Sequence, residues 1–542
     1  MIDLLTYPAT LSALIVGIAA SIPIAARWLR VAQREHYVPG SVSTMAWLWV
    51  RREPATAALL AVAISVIYVA VLSGVPPLGP YWSMVAIVLL ALLPLGLSVR
   101  GHSAKFAVTN RVKRLMACWI AVHIVVTLVM VWVLEYGAAA AVPLVLLLSA
   151  PLTDLALAFM APIEKAASKK FVVAAQKRLG QVRPRVVAIT GSYGKTSTKN
   201  YVAHLLSSTF TTVASPASFN NRLGLSRAVN DKLVPGTEVF VAEMGIFGPG
   251  EIRELSTYFP PDIAAITVIG EAHLQRMRST DVIFRAKAEI VEQAGIVVLP
   301  IDDPRLAALA DDCRLKGKRV VTTTCMPDTV ADVVLVPSAG HDAGHDAGAD
   351  TAPWSITIGV GAEPMPVSIS GTGHAVNVAV AAGIALAADV PVATIAARLG
   401  DLPGSQHRAE VQQAPSGALV IDDTYNANPV GSLRALQGAA SLATERGGPL
   451  VVVTPGMVEL GPVQVERNRA FGAAIGAAGG LLLAVARTNR AALLAGYAST
   501  ATSAAPGAIA VATREHAVRQ AVVAAGDRGV ILYENDLPDH YP

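Results

Sequence analysis

The apolar run of sequence before Glu164 restricts the fold of this chain more than any other feature. Five of its stretches, residues 8–26, 55–75, 81–99, 117–134 and 138–160, are long and apolar. Crossing the hydrocarbon core of a bilayer takes about 20 residues of helix, so each is a candidate span; Asp154 interrupts the fifth. A multi-span α-helical membrane domain is expected over residues 1–163. No basic residue precedes the first run and Arg27 follows it, a pattern unlike that of a cleaved signal peptide. Arg27, Arg30, Arg34, Arg51 and Arg52 flank the first connection, and Arg100, Lys105, Arg111, Lys113 and Arg114 fill the third. The second and fourth connections, around 76–80 and 135–137, have neither Lys nor Arg. Basic loops stay on the cytoplasmic side, which places the N-terminus outside and everything after Glu164 inside the cell. Lys165, Lys169, Lys170, Lys177 and Arg178 then accompany Phe171, Val172 and Val173. This composition suits a basic amphipathic linker, 164–185, on the inner leaflet. The spans serve either as an anchor or as a site for a lipid-linked substrate, with His123 and Asp154 as polar candidates.

Beyond the linker the composition changes to that of an Ala-rich enzyme. Apolar runs such as "VVAIT", "EVFVAEMG", "IAAITVIG" and "GIVVLPI" alternate with helical stretches, a pattern that gives a sheet covered by helices. A second α/β unit begins near Ala409, where "ALVIDDTY", "LVVVTPG", "LLLAVA" and "GVILYE" repeat the alternation. The expected division is a nucleotide-binding domain over 186–408 and a Rossmann-like domain over 409–542. The net charge of +4 and the lack of a long basic block exclude nucleic acid as a partner. Cys118, Cys313 and Cys325 lie far apart and form neither a disulfide framework nor a zinc spacing. The low-complexity insertion at 338–354 holds two His-Asp pairs; a solvated loop is the simpler reading than a metal site.

The chemistry begins at "TGSYGKT", residues 190–196. Backbone N–H groups around Gly191, Ser192 and Gly194, with the start of the next helix and Ser197, suit phosphate oxygens. Lys195 supplies a positive charge to the β/γ-phosphates and Thr196 a hydroxyl for Mg²⁺. The common Gly-x-x-x-x-Gly-Lys spacing would put glycine where Ile189 stands.

That short form resembles the Mur ligase family of ATP-dependent amide-forming enzymes. So do "SFNNRLGLS" (218–226), "VAEMGIFGPGEIREL", "PPDIAAITVIGEAHLQRMRSTDVIFRAKAEI", "DDTYNANP" (422–429) and "GMVELG" (456–461), in that order. The set is most similar to the family's D-alanyl-D-alanine-adding branch. The resemblance implies a P-loop central domain, a Rossmann-like C-terminal domain, and ATP and Mg²⁺ as cofactors. By it, Glu243 and His273 hold divalent cations with Thr196, and Lys287 is the lysine that the family carbamylates. Asn377, Arg408 and Asp423 contact the nucleotide, Asp423 at the ribose and Arg408 at the phosphates. Tyr425, Asn426 and Asn428 border the amine. Read without the family, Glu243 is a strand-end carboxylate, His273 a helix cap, Lys287 a surface helix residue, and Asn-x-Asn-Pro a turn.

The chain departs from the family in four places. Apolar spans occupy the position of the UDP-gripping domain, and "GTGHAVN" keeps only Asn377 of the usual motif, with His374 at the first Asn. Pro300 stands where an adenine-side Asn is usual, and "LYENDLPDHYP" replaces a Lys-Gly-Ser segment. The resulting expectation is a membrane-anchored ligase at the inner face of the membrane. It would join a lipid-linked or small acid of the cell-wall precursor type to an amino acid or dipeptide. An ATP-driven transporter or a nucleotide-binding scaffold is the competing class; the chain has no second P-loop.

Overall fold

A computed structural model describes residues 8–72, 79–101, 106–134, 138–246, 248–338, 351–370, 375–403, 410–424, 427–503, 505–537 and 540–542. It divides into a helical unit, residues 1–167 with 486–488 and 537–542, and an α/β unit that takes the rest.

Among the described residues, the helical unit contains three helices long and apolar enough to cross a membrane: Ala9–Arg34, Pro54–Val71 and Asn110–Val133. A fourth span arises only if Ala140–Leu147 and Ser149–Val182, bent by 68° at their junction, count as one. Two of the five expected spans therefore change. The third run folds as Gly79–Leu92, 14 residues, or about 21 Å at the helical rise, too short for the core. Pro94 follows closely; it lacks an N–H and pushes the residue before it out of the helical region. The fifth run breaks at Leu148, and Asp154 is not an interruption but a cap. Its carboxylate accepts from Val42 N at 3.2 Å, Ser43 N at 2.8 Å and Ser43 Oγ at 2.6 Å. Those are orphan donors at the start of Ser41–Arg52, a helix in the first connection that the hydropathy pattern does not reveal.

The basic stretch is not a separate linker either. Helix Ser149–Val182 continues unbroken through it, and Ala175, Leu179 and Val182 pack into the core of the α/β unit. Phe171 and Val173 remain exposed.

The first sheet of the α/β unit holds β1 (Arg185–Thr190), β2 (Thr212–Ala214), β3 (Val239–Glu243), β4 (Ile263–Ile266), β5 (Ile296–Pro300), β6 (Arg319–Thr324), β7 (Val333–Pro337), β8 (Thr351–Ile358) and β9 (Met365–Ser370). Their order is β2-β3-β1-β4-β5-β6-β7-β8-β9. The strands are parallel through β7, and β8 and β9 are antiparallel additions. Val187 and Ile189 face one apolar core while Val186 and Ala188 face the other. A sheet buried on both faces produces the continuous apolar runs seen in the sequence. From β1 the chain passes over β3 to reach β2, and from β3 it passes over β1 to reach β4, so the carboxyl ends of β1 and β3 form a topological switch point, where ligands bind in open α/β sheets.

The second sheet holds β10 (Glu410–Gln413), β11 (Leu419–Asp423), β12 (Leu450–Thr454), β13 (Leu481–Val485), β14 (Ala508–Val511) and β15 (Val530–Glu534). Its order is β10-β11-β15-β12-β13-β14, parallel except for β10. This is the doubly wound unit that the alternation predicts.

Candidate active site

Strand β1 ends at Thr190, whose hydroxyl donates to Met244 O at 2.8 Å, joining the ends of β1 and β3. The chain then turns through residues 191–194 into helix Lys195–Leu206. Two positions in this turn admit only glycine. A Cβ on Gly191 (φ 155°) would lie 1.9 Å from Thr267 Oγ1, and one on Gly194 (φ 79°) 2.0 Å from Asn377 Oδ1. The Ser192 hydroxyl accepts from Gly270 N at 3.0 Å, and Thr267 Oγ1 donates to Tyr193 O at 2.5 Å. The segment after β4 thus fixes the loop. The Lys195 ammonium donates to Gly191 O at 2.7 Å, curling over the loop.

A buried polar cluster lies next to it. Glu243, at the carboxyl end of β3, accepts from Thr196 Oγ1 at 2.9 Å and from Asn220 Nδ2 at 3.3 Å. Lys199 Nζ stands 3.7 Å from the same carboxylate. A carboxylate and a hydroxyl side by side at a phosphate loop suit Mg²⁺, which takes few protein oxygens and completes its shell with phosphate and water. Lys199 does not follow from the motif reading, whereas Asn220 lies in the "SFNNRLGLS" segment, where the motif gives it no role. The signal for Lys199 was available, since it lies three residues after Thr196 and four after Lys195 on one helix.

Lys287, on helix Thr280–Ala288, is 2% exposed; the surface-residue alternative does not hold. Burial, with the charge of Lys195 adding to it, pushes its ammonium well below the usual lysine range. His273 has Glu459 of the C-terminal domain as a partner. It sits in a left-handed conformation (φ 60°), and its Nδ1 lies 2.6 Å from Glu459 Oε2. Among the described residues no group of three or more His, Cys, Asp or Glu side chains is gathered for a metal. Glu459 also pairs with Arg276, at 3.6 Å, and its carbonyl takes Gln275 N at 3.0 Å. Arg467 reaches Glu271 at 2.7 Å. These contacts join the segment after β4 to the segment after β12, a link that sequence distance conceals.

Asn377 is buried, and its Oδ1 has no hydrogen-bond partner among the described residues, which suits a ligand-facing role beside Gly194. Asp423 ends β11 opposite Glu534 of β15. Asn428 behaves as the turn reading expects: its Oδ1 accepts from Gly431 N at 2.9 Å and caps helix Pro429–Arg446. Arg408, Tyr425, Asn426 and His374, and most of the His-Asp insertion, lie outside the described residues. Pro300 ends β5.

Two family models match the chain, a Mur ligase middle domain over residues 189–385 and a Mur ligase, glutamate ligase domain over 407–533. The UDP-N-acetylmuramoyl-tripeptide–D-alanyl-D-alanine ligase of Mycobacterium leprae is 33% identical over 269 residues, covering 48% of this chain and 50% of its own. The Bacillus subtilis enzyme of that name is 30% identical over 304 residues, covering 56% and 62%. Among solved structures, MurF from Acinetobacter baumannii matches with a TM-score of 0.56 at 26% identity, over 67% of this chain and 76% of that one. The chain spans about half the length of the M. leprae relative.

Proposed function

The chain belongs to the Mur ligase family, and we propose that it is an ATP-dependent, ADP-forming carbon–nitrogen ligase. A carboxylate attacks the γ-phosphate to give an acyl phosphate, and an amine then displaces the phosphate to leave an amide. The acid is a peptidoglycan or related cell-wall precursor. The amine is an amino acid or a dipeptide such as D-Ala-D-Ala, the group named in the relatives. One observation carries the reading. Thr196 and Glu243 meet at the carboxyl ends of adjacent parallel strands, beside a glycine loop that leads into the N-terminus of helix Lys195–Leu206.

Each residue then has a task. The loop amides and Lys195 hold the β/γ-phosphates against the approaching carboxylate, an electrostatic task in which two anions must meet. Thr196 and Glu243 would hold Mg²⁺, which would supply charge neutralisation between them. Lys287, kept toward its neutral form by burial, would add CO₂ through its lone pair and release one proton to solvent, and the resulting carbamate would offer anionic oxygens to a cation. His273, with Nδ1 directed to Glu459, would offer Nε2 to a cation, the arrangement typical of carboxylate-oriented histidine ligands. Asn377, Arg408 and Asp423 hold the nucleotide, and Tyr425, Asn426 and Asn428 border the amine.

We further read the helical unit as membrane-embedded, with the catalytic unit cytoplasmic and the acid lipid-linked. Ile18, Ile22, Leu128 and Trp132 are exposed on the long helices, Trp132 at 82%. A contiguous apolar surface of this kind is a membrane or partner contact, and the basic connections agree with the orientation.

Protein in native membranes, given ATP, D-Ala-D-Ala and a muramyl-tripeptide acid either UDP-linked or polyprenyl-linked, tests both parts. Amide formed with phosphate release, preferentially on the lipid-linked acid and lost in Lys195→Ala, is expected. Amide on the UDP-linked acid alone removes the lipid-linked substrate and keeps the ligase; no amide from either removes both.

A further inference from the structure

The end of β15 holds a buried group for which the ligase reading above has no role. Glu534 is fully buried, directly across the parallel pairing from Asp423. Its Oε1 accepts from the Ser432 hydroxyl at 2.5 Å, and its Oε2 has no hydrogen-bond donor among the described residues. Asp423 is its register partner on the neighbouring strand, so the two carboxyl side chains leave the sheet on the same face. Two ionised carboxylates can only accept, so a hydrogen has to lie between them for this arrangement to be satisfied. Ser432 occupies one oxygen of Glu534, which leaves Oε2 to carry it.

Strand ends hold the pair in place. Asn535 N donates to Asp423 O at 3.1 Å, and Asn535 Nδ2 to Gly456 O at 2.6 Å. Asp423 is the more open of the two, half-buried where Glu534 is sealed. A ligand can therefore meet Asp423, and Glu534 acts only through it. We propose that Glu534 is a positioning residue: its protonated carboxyl donates to Asp423 and fixes that carboxylate as the acceptor for a sugar diol of the nucleotide. This rests on the assignment of Asp423 to the ribose. The hydrogen bond orients Asp423 and keeps its charge.

The electrostatics agree. Burial first, and the charge of Asp423 second, push the Glu534 carboxyl well above the usual range. From the elements packed against it, β11 contributes Asp423, helix Pro429–Arg446 the Ser432 hydroxyl, and the segment after β12 the Met457 thioether. Asp423 is the charged group among these. Ionisation of Glu534 at alkaline pH would place a second negative charge behind Asp423 and break the bond.

The test uses the full chain in detergent, a non-hydrolysable ATP analogue, and the variants Glu534→Gln, Glu534→Leu and Lys195→Ala. A hydrogen bond to a charged group contributes about 1.5–3 kcal/mol, so losing it weakens binding about tenfold or more. Glu534→Leu should show that loss. Glu534→Gln, which keeps a donor, should bind as wild type at neutral pH and lack the alkaline weakening that wild type shows. The infrared C=O band of a protonated carboxyl should be present in wild type and absent in Glu534→Gln. Binding unchanged in Glu534→Leu but weakened in Lys195→Ala overturns the role of Glu534 and leaves the nucleotide site. Absence of the protonated-carboxyl band overturns it as well. Failure of wild type to bind the analogue overturns the nucleotide reading itself. If Glu534→Leu does not fold, the wild-type alkaline limb and its loss in Glu534→Gln decide alone.

Discussion

Replacing Gly194 by alanine tests the packing of the phosphate loop against Asn377. The new Cβ would lie 2.0 Å from Asn377 Oδ1 and 2.7 Å from its Cγ, and the backbone there has φ 79°. Left-handed backbone costs a residue with a Cβ about 1–2 kcal/mol. Asn377 is 1% exposed and has no room to turn aside, so relief requires shifting the loop or its helix, an overpacking cost of about 1–3 kcal/mol. Together the loss is roughly 2–5 kcal/mol. Gly236 provides the control. Its φ is 89° and nothing lies within 4 Å of the position its Cβ would take, so Gly236→Ala meets only the backbone cost, about 1–2 kcal/mol. Denaturant unfolding of the two variants, with the KM for ATP measured alongside, separates the effects. Gly194→Ala should lose more stability than Gly236→Ala and bind ATP about tenfold more weakly, a change of about 1.4 kcal/mol. Equal stability losses with an unchanged KM would refute the packing of Asn377 against the loop.

Lys287→Ala should lose most ligase activity, and a short-chain carboxylic acid at high concentration should restore part of it, whereas Lys195→Ala should not respond; wild-type activity in the Lys287 variant, in bicarbonate-free buffer, would reduce Lys287 to a packing residue. The same lysine makes a pH prediction: its folded pKa lies below the unfolded 10.5, so the unfolded chain binds more protons between the two values. Stability therefore rises with pH across that window and is lost as pH falls through the folded value, and Lys287→Met should flatten that slope in urea unfolding. Lys199→Met leaves the buried Glu243 carboxylate without its cation and should destabilise by about 3–5 kcal/mol, a loss that adding Glu243→Gln should largely reverse in a double-mutant cycle. A reporter after Pro542 should be cytoplasmic and one at Pro77 external; a periplasmic C-terminus would exclude the proposed orientation.

What was legible in the sequence was local. The P-loop, the alternation of strand and helix, and the two α/β domains depend on patterns within a few dozen residues, and the folded chain follows them. Helix lengths in the apolar region were less legible, because hydropathy does not register that Pro94 ends Gly79–Leu92 or that the chain bends at Leu148. Asp154 reads as a flaw in a span until its partners, Val42 and Ser43, are known; they lie more than a hundred residues away. The same distance hides Glu459 from His273 and Asp423 from Glu534. Lys287 shows the converse: a lysine in a helical stretch reads as exposed, and only the tertiary packing reveals its burial.

The contact of His273 with Glu459 bears on how such a site works. One carboxylate here receives a histidine nitrogen and an arginine, and its own backbone carbonyl takes an amide N–H from the same segment. A second ion pair, Arg467 with Glu271, lies two residues from His273 in sequence. The segment that carries the histidine is thus held by residues of the C-terminal domain, while Glu243 and Thr196 are held wholly by the central one. On the metal-ligand role proposed for His273, a site divided in this way is complete only when the two domains are in register. Any change in their relative position must move His273 or break its contact with Glu459. On that proposal domain arrangement and ligand geometry are coupled, and the Glu459 carboxylate is where they meet.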